Sequence, residues 1–320
     1  MMKTKNGIEI PTTNQLQILS NKLQLRTNDT LRHEEWQMID DELLMVARER
    51  LTAIADLQSM GLVKNLGGLG VMVSAYERST DMTEAQVNMD GVTEAQKDRQ
   101  EYDLVGVPVP IFSKNFSFNS RQIEASRMRG ESLDVTAAAM AQRKVLDSLE
   151  SMAFNGVSNL VVDGKQIYGY ITHPNRETLT LAGTGWATVA GRDPIGDVEK
   201  MLQKAYDIDR YGPFLLYVCK EYWGPIQADY STAKGDRTFK ERIEAFADIT
   251  EVKVAPALPN NSVVLVQMTK DTVDLAVGQD ISNIEWESKP MLSEFKTFAA
   301  MAIRVKADAN NTVGVVHGSV

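Results

Sequence analysis

An α+β fold is predicted by three features of this chain. The helical pattern over residues 132–154 is uninterrupted, β-type apolar runs gather after Pro256, and a polar stretch over 67–110 turns at its midpoint on Asp90-Gly91. With 320 residues, 43% of them hydrophobic, the chain is long enough to bury one large core or two modest ones.

Residues 1–30 are rich in Asn, Thr, Gln and Lys with scattered apolar positions, and read as an N-terminal arm held only by something else. From Leu31 to Leu57 the apolar residues Trp36, Ile39, Leu43, Val46, Leu51 and Ile54 recur at helical spacing. Acids at 34, 35, 40 and 41 precede bases at 48 and 50, which suits the helix dipole and predicts one helix of about 25 residues. Glycines at 61, 67, 68 and 70 close it.

The polar stretch then begins. Val71, Val73 and Ala75 alternate with Met72, Ser74 and Tyr76, and the chain turns polar from Arg78 onward. Asp-Gly is a favoured hairpin turn because Gly accepts positive φ. The return leg passes Lys97 and Arg99 before becoming apolar at Tyr102 and Leu104. If extended at ~3.3 Å per residue, each leg of about twenty residues reaches roughly 60 Å. A globule of this length has a radius of gyration of only about 20 Å. The hairpin must therefore project, and since two strands alone are barely stable it is expected to lie on neighbouring copies of the chain.

Residues 107–120 are β-like, with Pro108 and Pro110 marking an edge or a bend. A short helix follows over 121–129. Ser132 then caps the long helix, which stops at Asn155-Gly156. Short strands and turns fill 157–190. A third helix starts at Asp193-Pro194, and Tyr211-Gly212-Pro213 leads into the buried strand FLLYVC and a further helix, with the polar turn Ala233-Lys234-Gly235-Asp236 beyond. The remainder is mainly β: VVLVQM, TVDLAVGQ, an alternating run from Phe295 to Val305, then a closing strand and a free tail.

Charge and composition narrow the function. A net charge of -9, from 43 acidic against 34 basic side chains, argues against a protein that coats nucleic acid with positive charge. One cysteine, Cys219, forms no intrachain disulfide and reads as a core residue; with three scattered histidines it builds no zinc cluster. The polar N-terminus and the absence of an apolar run near ~20 residues place the chain in, or assembled in, the cytoplasm.

No catalytic signature is found. Gly164-Lys165 is followed by Gln166 and lacks the earlier Gly of a phosphate loop, and Gly68 with Gly70 lacks the third Gly of a dinucleotide fingerprint. Gly-x-Ser-x-Gly and His-Glu-x-x-His are absent. Glu34 with Glu35, and Asp40 with Asp41, point to different helix faces and read as solvated charges. No catalytic, metal or cofactor residue is expected.

The order of elements, with its local text, resembles the major capsid proteins of tailed phages, the Hong Kong ninety-seven type fold, which encapsulin shells share. LRHEEWQMIDDE looks like the encapsulin-type N-terminal helix. VPVPIFSKNFSFNSRQIEASRMRGESLDVTAAAMAQ through MAFNG is similar to that family's strand, short helix and spine helix. DRYGPFLLYVCKEYW and VDLAVGQDIS resemble two later segments. The resemblance covers roughly 31–310 and implies these parts: an arm (1–30), an N-terminal helix region joining the peripheral domain (31–66), an extended loop (67–110), a peripheral domain (111–192 and 263–307, with spine helix 132–154), and an axial domain (193–262 and 308–320).

It also implies a subunit interface, at Arg78, Asp90, Gly91, Lys97 and Arg99 of the hairpin and at Lys234, Asp236 and Arg237 of an axial loop. Hexamers and pentamers of a shell are the implied homo-oligomers, with portal, scaffolding or decoration proteins as further partners, packaged DNA held non-specifically, and no membrane. The thirty-residue arm and the long hairpin are larger than in compact encapsulins and closer to phage capsids. Some relatives cross-link a loop Lys to an Asn; Lys97 is the only Lys of this hairpin and no partner is indicated, so no such bond is expected. The function implied is a structural capsid protein enclosing the double-stranded DNA of a tailed phage, located in the virion and assembled in the host cytoplasm. The alternative is an encapsulin shell around a cargo enzyme; a soluble α/β enzyme is a third reading, without a polar cluster to support it.

Overall fold

The computed structural model describes residues 35, 37–41, 51–85, 87, 89, 97–129, 135–188, 191–229, 237–289 and 292–320. The chain divides into two compact units. The first comprises Met1–Leu51, Ile111–Ser148 and Gln279–Ala300, and the second comprises Thr52–Pro110, Leu149–Gly278 and Met301–Val320.

In the first unit, strand β4 (Ile111–Asn119) pairs antiparallel with β12 (Leu292–Val305), whose first nine residues belong to this unit. The alternation in Asn-Phe-Ser-Phe-Asn turns Phe116 and Phe118 to one face, where the register sets Phe116 directly opposite Phe295. The Phe116 and Phe295 rings stack at 5.3 Å, and Phe118 meets Phe295 edge-on at 5.4 Å. Ile39, on helical residues 37–41, joins this core with Ile123 of α2 (Ser120–Arg129) and with Ala138 and Ala141 of the long helix. Ala138 and Ala141 are small enough to let that helix approach the rings closely.

The long helix, α3, runs Thr136–Asn155; its expected cap at Ser132 lies outside the described residues. It stops where the sequence indicates. Gly156 has φ +69°, and a Cβ there would stand 2.4 Å from the Ile167 carbonyl oxygen, so only Gly fits. Pro108 and Pro110 fall at the break between the end of β3 (Tyr102–Pro108) and the start of β4.

The second unit holds α1 (Ala53–Ser59), β1 (Val63–Asn65), the hairpin β2 (Val73–Ser79) with β3, and a five-stranded sheet. β1 runs parallel to the start of β11 (Val273–Lys289). The sheet order is β7 (Glu177–Thr180), β13 (Val315–Ser319), β10 (Ser262–Gln267), β8 (Phe214–Val218) and β9 (Ile249–Val254). β8 and β10 are buried along their whole length, hence their continuous apolar text. Helix α4 (Pro194–Asp207) is capped by Asp193, which accepts the Gly196 N–H at 3.1 Å, and its Asp197 receives the buried Trp186 indole N–H at 2.9 Å. Cys219 is buried between β8 and α5 (Lys220–Ile226), the core position expected of it. Helix α6 (Phe239–Glu244) opens on a capping box, with Thr238 and Glu241 each accepting the other's backbone N–H. Thr238→Ala is expected to lower unfolding stability by about 1 kcal/mol in a urea titration.

Two expectations are corrected. The helix over 31–57 does not run unbroken, because the Ala53 N–H is taken by the carboxylate of buried Glu150 at 2.8 Å and α1 starts afresh there. The C-terminus is no free tail either: β13 inserts between β7 and β10, and only Val320 is left exposed. Its Val315, Val316 and Gly318 are buried, and that burial holds the strand in place.

Of the three histidines, His33 lies outside the described residues, and the other two are packed within the second unit. His173 is buried in a turn and accepts the Asn175 N–H, while His317 on β13 accepts from Arg176 Nε at 3.4 Å. Burial first, and the Arg176 charge second, push both imidazoles down to about 4, so they are neutral at neutral pH.

Candidate functional site

The hairpin is the feature that the sequence singles out, and the structure shows how it is rooted. β2 and β3 pair from Val73↔Pro108 to Ser79↔Tyr102. Beyond this ladder Thr80 and Glu101 exchange hydrogen bonds, and Asp98 accepts both the Thr83 N–H and its hydroxyl, at 2.6 and 2.5 Å. Those bonds, the hydroxyl first, hold the Asp98 carboxyl below its ordinary range. Every one of these pairs shares one midpoint, between Asp90 and Gly91, the turn position that the dipeptide predicts. The regular ladder is shorter than the expected legs, seven residues a side, or roughly 23 Å.

At the root, Arg304 of β12 is almost fully buried. Its guanidinium forks onto Asp274 of β11, with the Nε contact at 2.6 Å, and also donates to the Ser74 hydroxyl at 3.0 Å and the Ala75 carbonyl at 3.2 Å on β2. Lys306 adds a second cation to Asp274 at 2.8 Å. A step further out, Arg78 bridges Asp103 on the opposite strand at 2.7 Å and the side-chain oxygen of Asn311. Asn311 belongs to a tight loop organised by Asp308, which accepts the Thr312 and Asn310 N–H groups and a 2.7 Å contact from Arg210. Burial raises the Asp308 pKa, but the Thr312 bonds and the Arg210 charge outweigh it and leave the carboxyl below its usual value.

Between hairpin and loop lies a cleft of about 460 Å³ lined by Tyr76, Arg78, Arg210, Asp271, Lys306 and Asp308, among others. Burial pushes the Tyr76 phenol up, against its bond with the Ala307 backbone and the nearby Arg78 and Arg304 charges. Cations and carboxylates face one another here, which is the chemistry of a mooring. The outer hairpin is different in kind: Met82, Val87, Met89, Tyr102 and Leu104 expose apolar side chains to solvent.

Of the residues expected at an interface, Arg78 lies on β2 within the mooring, and Lys97 and Arg99 are exposed on the return leg. Arg237 is exposed just before α6. Asp90, Gly91, Lys234 and Asp236 lie outside the described residues. Sequence reasoning missed Asp103, Asn311, Arg304 and Asp274. Asp103 was findable, since a turn at Asp90-Gly91 sets it directly across from Arg78 as an opposite-charge pair. Asn311 and Arg304 lie more than two hundred residues along the chain from their hairpin partners, and no local signal marks them. Arg78→Ala is expected to change subunit stability by only about 0–1 kcal/mol, since the pair is partly solvated. Hydrogen exchange of amides 73–79 should nevertheless accelerate, because the outer tie to Asn311 is lost.

Comparison with known proteins agrees with this architecture. The type 1 encapsulin shell protein EncA of Myxococcus xanthus is 24% identical over 281 residues, covering 86% of this chain and 90% of that protein. Among solved structures, a virus-like particle from Pyrococcus furiosus superposes with a TM-score of 0.60 at 17% identity, over 90% of this chain and 99% of that one. The capsid of Myoviridae phage XM1 superposes with a TM-score of 0.61 at 9% identity, over 84% and 92%. The fold is therefore the Hong Kong ninety-seven type that the sequence resembles. A family model matches residues 25–318, and the chain belongs to that family, described as a family of unknown function (DUF6260).

Proposed function

We propose that this chain is the structural subunit of an icosahedral shell, and specifically the major capsid protein of a tailed phage. One observation carries the reading: a moored hairpin whose outer part exposes apolar side chains and has no core of its own. Closed symmetry lets each copy present that hairpin to the next and receive one in turn. The long hairpin and thirty-residue arm support the phage reading, as does the XM1 capsid likeness. Arg78, Asp90, Gly91, Lys97 and Arg99, with the axial loop at Lys234, Asp236 and Arg237, are the proposed contact points between subunits. The peripheral and axial ranges given above are the proposed functional division, with portal, scaffolding or decoration proteins and packaged DNA as further partners in a virion. Among the described residues no helix is long and apolar enough to cross a membrane.

A second reading, an encapsulin shell around a cargo enzyme, is favoured by the likeness to EncA. Electron microscopy of the expressed, purified chain separates them. Thin-walled shells of phage-head dimensions support the capsid, small uniform cages with a co-purifying enzyme support the encapsulin, and a chain that stays monomeric or dimeric under all assembly conditions defeats both.

A further inference from the structure

Between α1, the end of the long helix and strands β8 and β9 is a buried acid cluster that the mooring does not use. Glu150 of α3 and Asp56 of α1 are 3% and 5% exposed. They have different partners. Asp56 receives Lys253 of β9 at 2.6 Å and the Tyr217 hydroxyl of β8 at 2.8 Å, and Lys253 also meets Glu251 at 3.1 Å. Among the described residues Glu150 has no cation: one carboxyl oxygen takes the Ala53 N–H, and the other is buried without a partner. The Tyr170 hydroxyl, also buried without a partner, is close enough to feel both carboxyl charges. The cluster therefore contains two buried carboxyls and one ammonium group that it shares with the more exposed Glu251, with phenols and the backbone N–H groups of 52–54 completing its walls.

We infer that Glu150 is a proton-operated clasp, holding α1 against the long helix as the neutral acid and loosening it as the carboxylate. The neutral form suits the site, because its carbonyl oxygen still accepts the Ala53 N–H while the second oxygen, buried without a partner, carries no charge that would need one. Ionisation sets an unpaired buried charge beside Asp56, which already holds Lys253. Burial, opposed by the N–H groups of Ala53, Thr52 and Ile54 and reinforced by Asp56, raises the Glu150 carboxyl to about 7. The folded chain thus keeps a proton that the unfolded chain loses near pH 4.5. The clasp's contribution is complete below that value, falls as pH rises to about 7, and is flat above it. Along the chain, α1 leads through β1 to β2, the incoming leg of the hairpin.

The test needs no shell, so its failure is distinct from failure of the assembly reading. Hydrogen exchange of the full-length unassembled chain is followed between pH 5.5 and 8.5, corrected for the intrinsic pH dependence of exchange. Protection of α1 amides should fall by about tenfold or more across this range, while β8 and β10 stay unchanged. Glu150→Gln, a neutral isostere, should hold α1 protection constant with pH. If that variant does not fold, Asp56→Asn serves instead and should move the wild-type midpoint to lower pH. A wild-type α1 whose protection does not change with pH, or an α1 response that Glu150→Gln leaves intact, or a midpoint that Asp56→Asn does not move, overturns the clasp.

Discussion

Replacing residues 81–100 by Asn-Gly is expected to abolish particle formation while leaving a folded subunit. The junction is set by the register, since Thr80 and Glu101 already exchange hydrogen bonds and a two-residue turn of this type fits the twist of the β2–β3 ribbon. Little burial is lost, because the described residues of the excised segment are exposed. Shortening the loop also lowers its closure entropy, by about 0.6 kcal/mol for each halving of length. The subunit should therefore unfold at the same or slightly higher urea concentration. The assembled particle is another matter, because the removed segment carries Met82, Val87 and Met89, the exposed apolar groups that the proposed function gives to a neighbouring copy. Sedimentation and electron microscopy give the result directly. Shells of normal yield from the shortened chain would show that the hairpin is no strap between subunits.

Arg304→Met should be the most damaging single change within the subunit. It leaves the Asp274 carboxylate buried and removes donors from the Ser74 hydroxyl and the Ala75 carbonyl at the same time. Breaking one side of a buried ion pair costs about 3–5 kcal/mol. The lower end of that range is expected here, since Lys306 still reaches Asp274 at 2.8 Å. The double change Arg304→Met with Asp274→Leu removes both charges and should recover part of the loss. A deficit of about 1–3 kcal/mol should persist, because buried Ser74 stays unpaired. Urea midpoints of the two variants and the parent measure both effects. Equal stability of Arg304→Met and the parent would mean that the fork contributes nothing to the root of the hairpin. The difference from Arg78→Ala is one of solvent: the same kind of residue, a few rungs further out, pairs where water already screens it.

Local periodicity and punctuation made much of the architecture legible in the sequence. The register that pairs Arg78 with Asp103 centres where the Asp90-Gly91 dipeptide predicts, Asn155-Gly156 ended the long helix, and Pro108 with Pro110 fell where β3 gives way to β4. Such features depend on neighbours a few residues away, through allowed φ/ψ and the pleat or turn period, so a single sequence carries them. The order of these elements was also enough to identify the capsid-type fold. What only the tertiary structure decided depends on partners far along the chain. Glu150 interrupts the helical pattern at Ala53 from 97 residues away. β13 becomes an interior strand because β7 has no other neighbour in the sheet and β10 none on the edge away from β8. Arg304 and Asn311 moor a hairpin more than two hundred residues before them. In each case the deciding term is the desolvation of a group that must find its partner inside the fold, and no local pattern encodes which distant residue will be there.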